Sequence, residues 1–253
     1  MSAADDNRTP AQEQWTVPPP PPASASVSPP GSLLNASLRD GWEAFKHEPA
    51  VLIGFFVLKI FVSAVLVAFS GGMMAASGAF KHDDHPGPVF FWISVFSIVD
   101  GIFATGILYA ALRAVRRQPI PFDTFVSGFG KFLPVAVGLI LVHLIVGTGL
   151  IFLIVPGIIF GLGFAQWSLL VMDRGMSAPE ALSRSWALMR GYKAEYFLLW
   201  LLLIAINLAG ALPLGFGLVI TVPLTYATQA AFYDWLIRMK PGALVPAEPV
   251  ASR

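Results

Sequence analysis

The chain alternates between long apolar runs and short segments that collect its charges. Six runs, at residues 50–70, 89–112, 132–154, 157–173, 196–213 and 215–237, are rich in Leu, Ile, Val, Phe and Ala. A helix needs about 17–25 apolar residues to cross a ~30 Å hydrocarbon core, and the runs fall in that range. They predict an all-α fold, a polytopic membrane helical bundle of six transmembrane helices in three hairpins. Pro156-Gly157 and Pro213 are expected at the tight turns of the second and third hairpins, because proline cannot continue a helix and glycine permits a sharp reversal. The fourth run is short, so 132–173 also fits a single re-entrant hairpin, but its length suits two crossings. Pro223 lies inside the sixth run and predicts a kink there.

The segments before the hairpins share a pattern. SLRDGWEAFK (37–46) can be set over ALSRSWALMR (181–190), which pairs Leu38 with Leu182, Trp42 with Trp186, Phe45 with Met189 and Lys46 with Arg190. Spacings of i, i+4 and i+7 put the apolar members on one helical face. FDTFVSGFGK (122–131) is a weaker third copy. The predicted unit is a cytoplasmic, interfacial amphipathic helix followed by a hairpin, used three times. Trp and Lys/Arg suit the headgroup layer, which makes Trp42, Lys46, Arg184, Trp186 and Arg190 the candidate headgroup contacts. Ser177 and Glu180 have capping-box spacing at the start of the third amphipathic helix, and Gly191 is placed to close it.

Composition agrees with this pattern. Apolar residues make up 56% of the chain and charged residues 12%, against roughly 45–50% and ~25% in soluble domains. So few charges exclude an ordinary soluble surface and a disordered chain. The net charge of +1 gives no reason to expect a nucleic-acid partner. With no cysteine there is no disulfide, thiolate metal site or cysteine nucleophile. Lys and Arg concentrate in the segments 113–131 and 174–195 and at the flanks (Arg39, Lys46, Arg238, Lys240), while the loop at 71–88 has only Lys81. By the positive-inside rule, both termini are expected to be cytoplasmic. Residues 1–31, with the run PPPPPASASVSPP, are expected to form a disordered tail. They lack a signal-peptide pattern, and a proline-reading partner is the functional alternative for them. Residues 32–240 form the expected membrane domain and 241–253 a second disordered tail.

Polar groups within apolar runs are the best pointers to function, because a charge at the bilayer centre costs at least ~2.5–3.5 kcal/mol. Lys59 and Asp100 lie near the middle of consecutive antiparallel spans, at similar depth, and His143 lies at a similar depth in the third. Gln166, Asn207 and Gln229 add neutral polar groups. Two readings compete. In one, Lys59–Asp100 is a structural clamp and the other groups bond between helices. In the other, Lys59, Asp100 and His143 line a path for protons or substrate. The loop KHDDHPGP (81–88) holds four possible metal ligands, His82, Asp83, Asp84 and His85, but four adjacent ligands cannot all reach one ion, and neither a metal nor a cofactor is expected. Gly157 and Gly161 allow close helix packing, within the chain or between copies. No hydrolase, metalloprotease, phosphate-loop or dinucleotide motif is present.

Several of these residues carry a resemblance. Pro156-Gly157, the run end Val171-Met172-Asp173, Ser177-Ala178-Pro179-Glu180-Ala181-Leu182, Ser185-Trp186-Ala187-Leu188, Arg190-Gly191 and Asp234 in FYDWL stand in one pattern. It resembles that of bacterial six-span membrane proteins related to the membrane domain of glycerophosphoryl diester phosphodiesterase. The resemblance implies a cytoplasmic-membrane location. It implies no catalysis, because the phosphodiesterase chemistry belongs to a separate soluble barrel whose catalytic acids and histidines are missing here. The expectation is therefore a non-enzymatic inner-membrane scaffold, or an accessory protein of the envelope and its lipids. Its partners are anionic headgroups, with protein partners or a homo-oligomer left open. The alternative is a small secondary transporter using Lys59, Asp100 and His143.

Overall fold

The computed structural model describes residues 31–76 and 87–244. The proline-rich stretch 1–30, the KHDDHP portion of the metal-ligand loop and residues 245–253 lie outside the described residues. Every regular element among those described is helical.

The order is a short helix and then a long pair, three times over. Helix α1 (Leu33–His47) precedes α2 (Pro49–Ala76) and α3 (Gly87–Val115). Helix α4 (Asp123–Gly130) precedes α5 (Phe132–Phe152) and a broken helix, α6 (Ile154–Phe164) with α7 (Trp167–Arg174). Helix α8 (Ala178–Met189) precedes α9 (Lys193–Ala211) and α10 (Leu218–Met239). Five segments are long and apolar enough to cross a membrane: within α2, within α3, α5, α6 with α7, and α9. Helix α10 is long enough, but Thr221, Thr225, Thr228, Gln229 and Asp234 make it more polar, and it is not among the five. Its second half is instead the most enclosed part of the fold, with Ala227, Ala230, Ala231, Phe232, Tyr233 and Leu236 buried. A helix surrounded by protein has no need to match lipid.

The short helices are amphipathic for a visible reason. Helix α1 buries Leu33, Ala36, Ser37, Gly41, Ala44 and Phe45 along one stripe, and α8 buries Ala178, Ala181, Leu182, Ser185, Leu188 and Met189. Each docks on the second long helix of the unit before it, and the order closes on itself. Helix α4 packs on α3, α8 packs on α6 and α7, and α1 packs on α10. Small residues permit these approaches. A Cβ added at Gly41 would lie 2.6 Å from Thr228 Cα on α10, and one at Gly128 would lie 2.6 Å from the Ile102 carbonyl on α3. At Gly163 the Trp186 ring of α8 occupies the space a Cβ would take. The core sits at this end of the bundle. The far halves of the long helices expose Phe61, Val65, Phe69, Leu144, Ile151 and Phe152.

Four sequence expectations need correction. The second reversal lies at Leu153, in extended conformation, and α6 already contains Pro156-Gly157. Pro156 falls in the first turn, where its missing N–H loses no helical bond. Gly157 then packs on the α5 backbone, where its Cβ would lie 2.6 Å from Leu150 N. The fourth run is not one helix. It breaks at Ala165–Gln166, and Ser185 of α8 takes up both freed groups: its Oγ donates to the Gly163 carbonyl (2.9 Å) and accepts from Gln166 N–H (3.1 Å). Ser177 stands at the N-cap of α8 in extended conformation, but its side chain makes no capping bond, so the capping box with Glu180 is not formed. The C-terminal tail does not begin at 241, because Pro241–Leu244 form a 3-10 turn that packs on α8 and α10. Other local features follow the sequence. Gly191, at φ +90°, closes α8, and Leu214 and Gly215 take positive φ in the turn after α9.

Candidate functional site

Polar side chains gather in two places. The first lies along α2 and α3. Lys59 Nζ donates to Asp100 Oδ1 at 2.8 Å, and Ser63 Oγ donates to the same oxygen at 2.5 Å. Lys59 and Ser63 are one turn apart on α2, so they share a face. The Lys59 side chain is 16% exposed and that of Asp100 27%. His143 does not join them. It is exposed on α5, and its Nδ1 bonds the Leu139 carbonyl one turn back. The three-residue cluster expected from depth alone is therefore a pair plus Ser63.

The second place brings together Asp173 and Asp234, which stand in the pattern that carries the resemblance, with Arg116, which nothing in the sequence joins to them. The C-terminal ends of α3, α7 and α10 converge at the end of the bundle that carries α1, α4 and α8. Arg116, just past α3, grips Asp173 of α7 with both terminal nitrogens and donates from Nε to Asp234 of α10 at 2.8 Å. Arg174 Nε (3.1 Å) and Tyr233 Oη (3.0 Å) also donate to Asp173, and Arg238 pairs with Asp234. The two carboxylate side chains are 9% and 7% exposed. Burial opposes the charge on Arg116, but the bonds to Asp173 and the Asp173 and Asp234 charges outweigh it, so its pKa is raised. Two-pronged Arg–carboxylate pairs of this kind are strong and directional.

Two lysines tie the same end together. Lys131 Nζ donates to the Val171 and Met172 carbonyls at 2.9 and 2.8 Å, at the C-terminal end of α7. Lys240 Nζ does the same for α8, donating to the carbonyls of Leu188 and Arg190. Such cations satisfy carbonyls that helix ends leave free. Burial lowers the pKa of both; the Asp173 charge opposes this at Lys131, and the Arg190 charge adds to it at Lys240. Trp235 Nε1 donates to Asp40 at 2.8 Å and joins α10 to α1.

The candidate headgroup contacts divide. Trp42 and Lys46 are exposed, with Lys46 bonded to Glu43 at 2.7 Å and its Nζ 5.9 Å from the Trp42 ring centroid. Arg190 is exposed, and its backbone carbonyl holds Lys240. Trp186 is instead wedged over Gly163 between Phe160 and Phe164, with Lys193 Nζ 3.1 Å above its ring centroid. Arg184 donates to the Ala243 carbonyl at 3.3 Å. Trp186 and Arg184 thus hold the fold together at this end.

A cavity of about 390 Å³ opens between α3, α4 and α7, with Tyr109, Arg113 and Lys131 on its wall. A second, of about 450 Å³, is an apolar groove between α5, α6 and α9 with Gln229 at its side. Among the described residues no group of three acidic or histidine side chains is placed to hold a metal. Comparison with known protein families, with curated proteins and with solved structures finds no match for this chain.

Proposed function

We propose that the chain is a non-enzymatic integral protein of a bacterial cytoplasmic membrane, acting as a scaffold or lipid-associated accessory protein. In this reading α2, α3, α5, α6–α7, α9 and α10 are six spans in three hairpins, and both termini face the cytoplasm with the basic loops. The observation that carries it is the cyclic docking of α1, α4 and α8, each on the second long helix of the preceding unit. This docking builds one platform around the Arg116–Asp173–Asp234 network. Lys and Arg crowd the same end, as headgroup contact and the positive-inside rule require. A platform of this kind presents a surface, with Trp42, Lys46 and Arg190 outward. The transporter alternative has less support. Lys59 and Asp100 already satisfy each other, and His143 bonds within its own helix.

Mass spectrometry of lipids and proteins copurified from native membranes tests this proposal. An enriched phospholipid class, or a stoichiometric protein partner, supports it. A chain that purifies with neither, and that carries a solute or proton flux abolished by Asp100→Asn, overturns it.

A further inference from the structure

The cavity beside α4 carries two cations on an otherwise mixed polar and apolar wall. Arg113, from the last turn of α3, and Lys131, ahead of α5, supply two half-buried cations. Among the described residues Arg113 uses only Nε, donating to the Pro119 carbonyl at 2.7 Å. No partner is found for its two terminal nitrogens among the described residues. Lys131 uses two of its three donors on α7 carbonyls. Tyr109 lines the same wall, and its hydroxyl has no hydrogen-bond partner among the described residues. The only carboxylate among the lining residues is Asp123, and it is exposed. Two cations and the unpaired Tyr109 hydroxyl against one rim carboxylate suit an anion with several acceptor oxygens.

The apolar surroundings indicate where that anion comes from. Val126 lines the cavity and is exposed, and Phe129, Phe132 and Leu133 continue the exposed apolar surface into the start of α5. Helix α5 is one of those long and apolar enough to cross a membrane. A soluble phosphate has no use for such a surface, whereas acyl chains do. We propose that this cavity receives the phosphate of a membrane phospholipid, with its acyl chains lying over Phe129, Phe132 and Leu133. The site rests on the reading above that α4 lies at the membrane surface, and it adds a specific pocket to the general contact of exposed basic residues. The volume of about 390 Å³ holds a headgroup and excludes the chains.

Tyr109→Phe is the cleanest test, since it removes a hydroxyl that bonds nothing among the described residues. Arg113→Gln is the stronger one. Native mass spectrometry of the full chain in detergent, titrated with phosphatidylglycerol, gives the affinity. Diacylglycerol serves as the phosphate-free control, and inorganic phosphate and glycerol 3-phosphate serve as soluble competitors. We expect one site that prefers phosphatidylglycerol to diacylglycerol. Arg113→Gln weakens it about tenfold or more, the factor expected for a lost charge-assisted hydrogen bond. Tyr109→Phe weakens it severalfold with an unchanged melting temperature, and decides the matter should Arg113→Gln fail to fold. Arg39→Gln, at an exposed side chain outside the cavity wall, leaves this site unaltered. Wild-type affinity in Tyr109→Phe and Arg113→Gln overturns the proposal, as does equal weakening by Arg39→Gln. Displacement of the lipid by an equal concentration of inorganic phosphate makes the ligand a soluble one and overturns the lipid assignment. Carbonate extraction of native membranes tests the underlying reading separately. Release of the wild-type chain to the supernatant defeats the membrane reading, whereas a chain kept in the pellet with indifferent Tyr109 and Arg113 variants defeats only the cavity.

Discussion

The two ionic sites solve the same problem on different scales. Lys59 and Asp100 join neighbouring helices within one unit, and among the described residues only Ser63 adds a hydrogen bond to the pair. Arg116, Asp173 and Asp234 join the second long helices of all three units, and Arg174, Tyr233 and Arg238 complete them. The first site neutralises a charge that the apolar run cannot avoid exposing to lipid or to its neighbour. The second fixes how three units meet, because every bond in it runs between elements or braces one that does. An isolated buried pair is exchangeable for apolar side chains, but a network with satisfied outer partners is not.

The largest expected effect follows from that difference. Arg116→Met removes the one side chain bonded to both carboxylates and leaves them under-paired in a buried setting. Loss of one partner from a buried ionic site costs about 3–5 kcal/mol. A thermal-unfolding midpoint in detergent, compared with that of Lys59→Met, checks the ranking; equal midpoints would break it. Lys59→Met strands Asp100 in an apolar run, at about 2.5–3.5 kcal/mol on insertion scales, and should lower the amount of inserted chain. Adding Asp100→Leu should restore insertion, because neither charge then remains. The matching replacement of Arg116, Asp173 and Asp234 together by Met, Leu and Leu should not recover stability, since Arg174, Tyr233 and Arg238 would lose their partners. Membrane-fraction immunoblots for the first set and unfolding curves for the second distinguish the sites. Failure of the Lys59/Asp100 double variant to recover would mean that the pair does more than cancel charge.

The sequence made the smaller site conspicuous and the larger one hard to see. Lys59 and Asp100 each interrupt an apolar run, and the antiparallel order of consecutive runs puts them at one depth. Depth does not give rotation, however. Helix α5 is apolar on all sides, so nothing in its pattern says which face His143 takes, and the structure turns it outward. Arg116 sits among Arg113 and Arg117 in a short loop, where any cation reads as a topology signal. Its partners lie 57 and 118 residues away, each at the end of another run. One signal was available, because Asp173 and Asp234 are acids at run ends on the side rich in Lys and Arg, where the charge rule counts only cations. The α6–α7 break was also marked, by Gln166 two residues beyond Gly161-Leu162-Gly163-Phe164. Recognising it requires knowing that Ser185 arrives to satisfy the opened turn, and that is tertiary information. The short amphipathic helices were legible because their 3.6-residue periodicity is local, but their cyclic docking depends on small residues such as Gly41 and Gly163 meeting partners far along the chain.

Smaller changes sharpen the comparison by removing one neutral donor from each site. Tyr233→Phe deletes the 3.0 Å bond to Asp173. Hydrogen bonds to charged groups are worth about 1.5–3 kcal/mol, and the lower end applies because Arg116 and Arg174 still hold the carboxylate. Unfolding midpoints in detergent read this directly. Ser63→Ala deletes the bond to Asp100 Oδ1. Two arguments make it the mildest change. Lys59 continues to neutralise Asp100 through the same oxygen, and side-chain bonds between membrane helices average only about 0.6 kcal/mol, because partly unfolded helices in the bilayer find other partners. Ser63→Ala should therefore leave inserted abundance unchanged and lower stability by less than Tyr233→Phe does, in parallel measurements on the same background. A Ser63→Ala loss as large as that of Tyr233→Phe would place Asp100 in a drier setting than its 27% side-chain exposure implies, and would make Ser63 a working member of the pair.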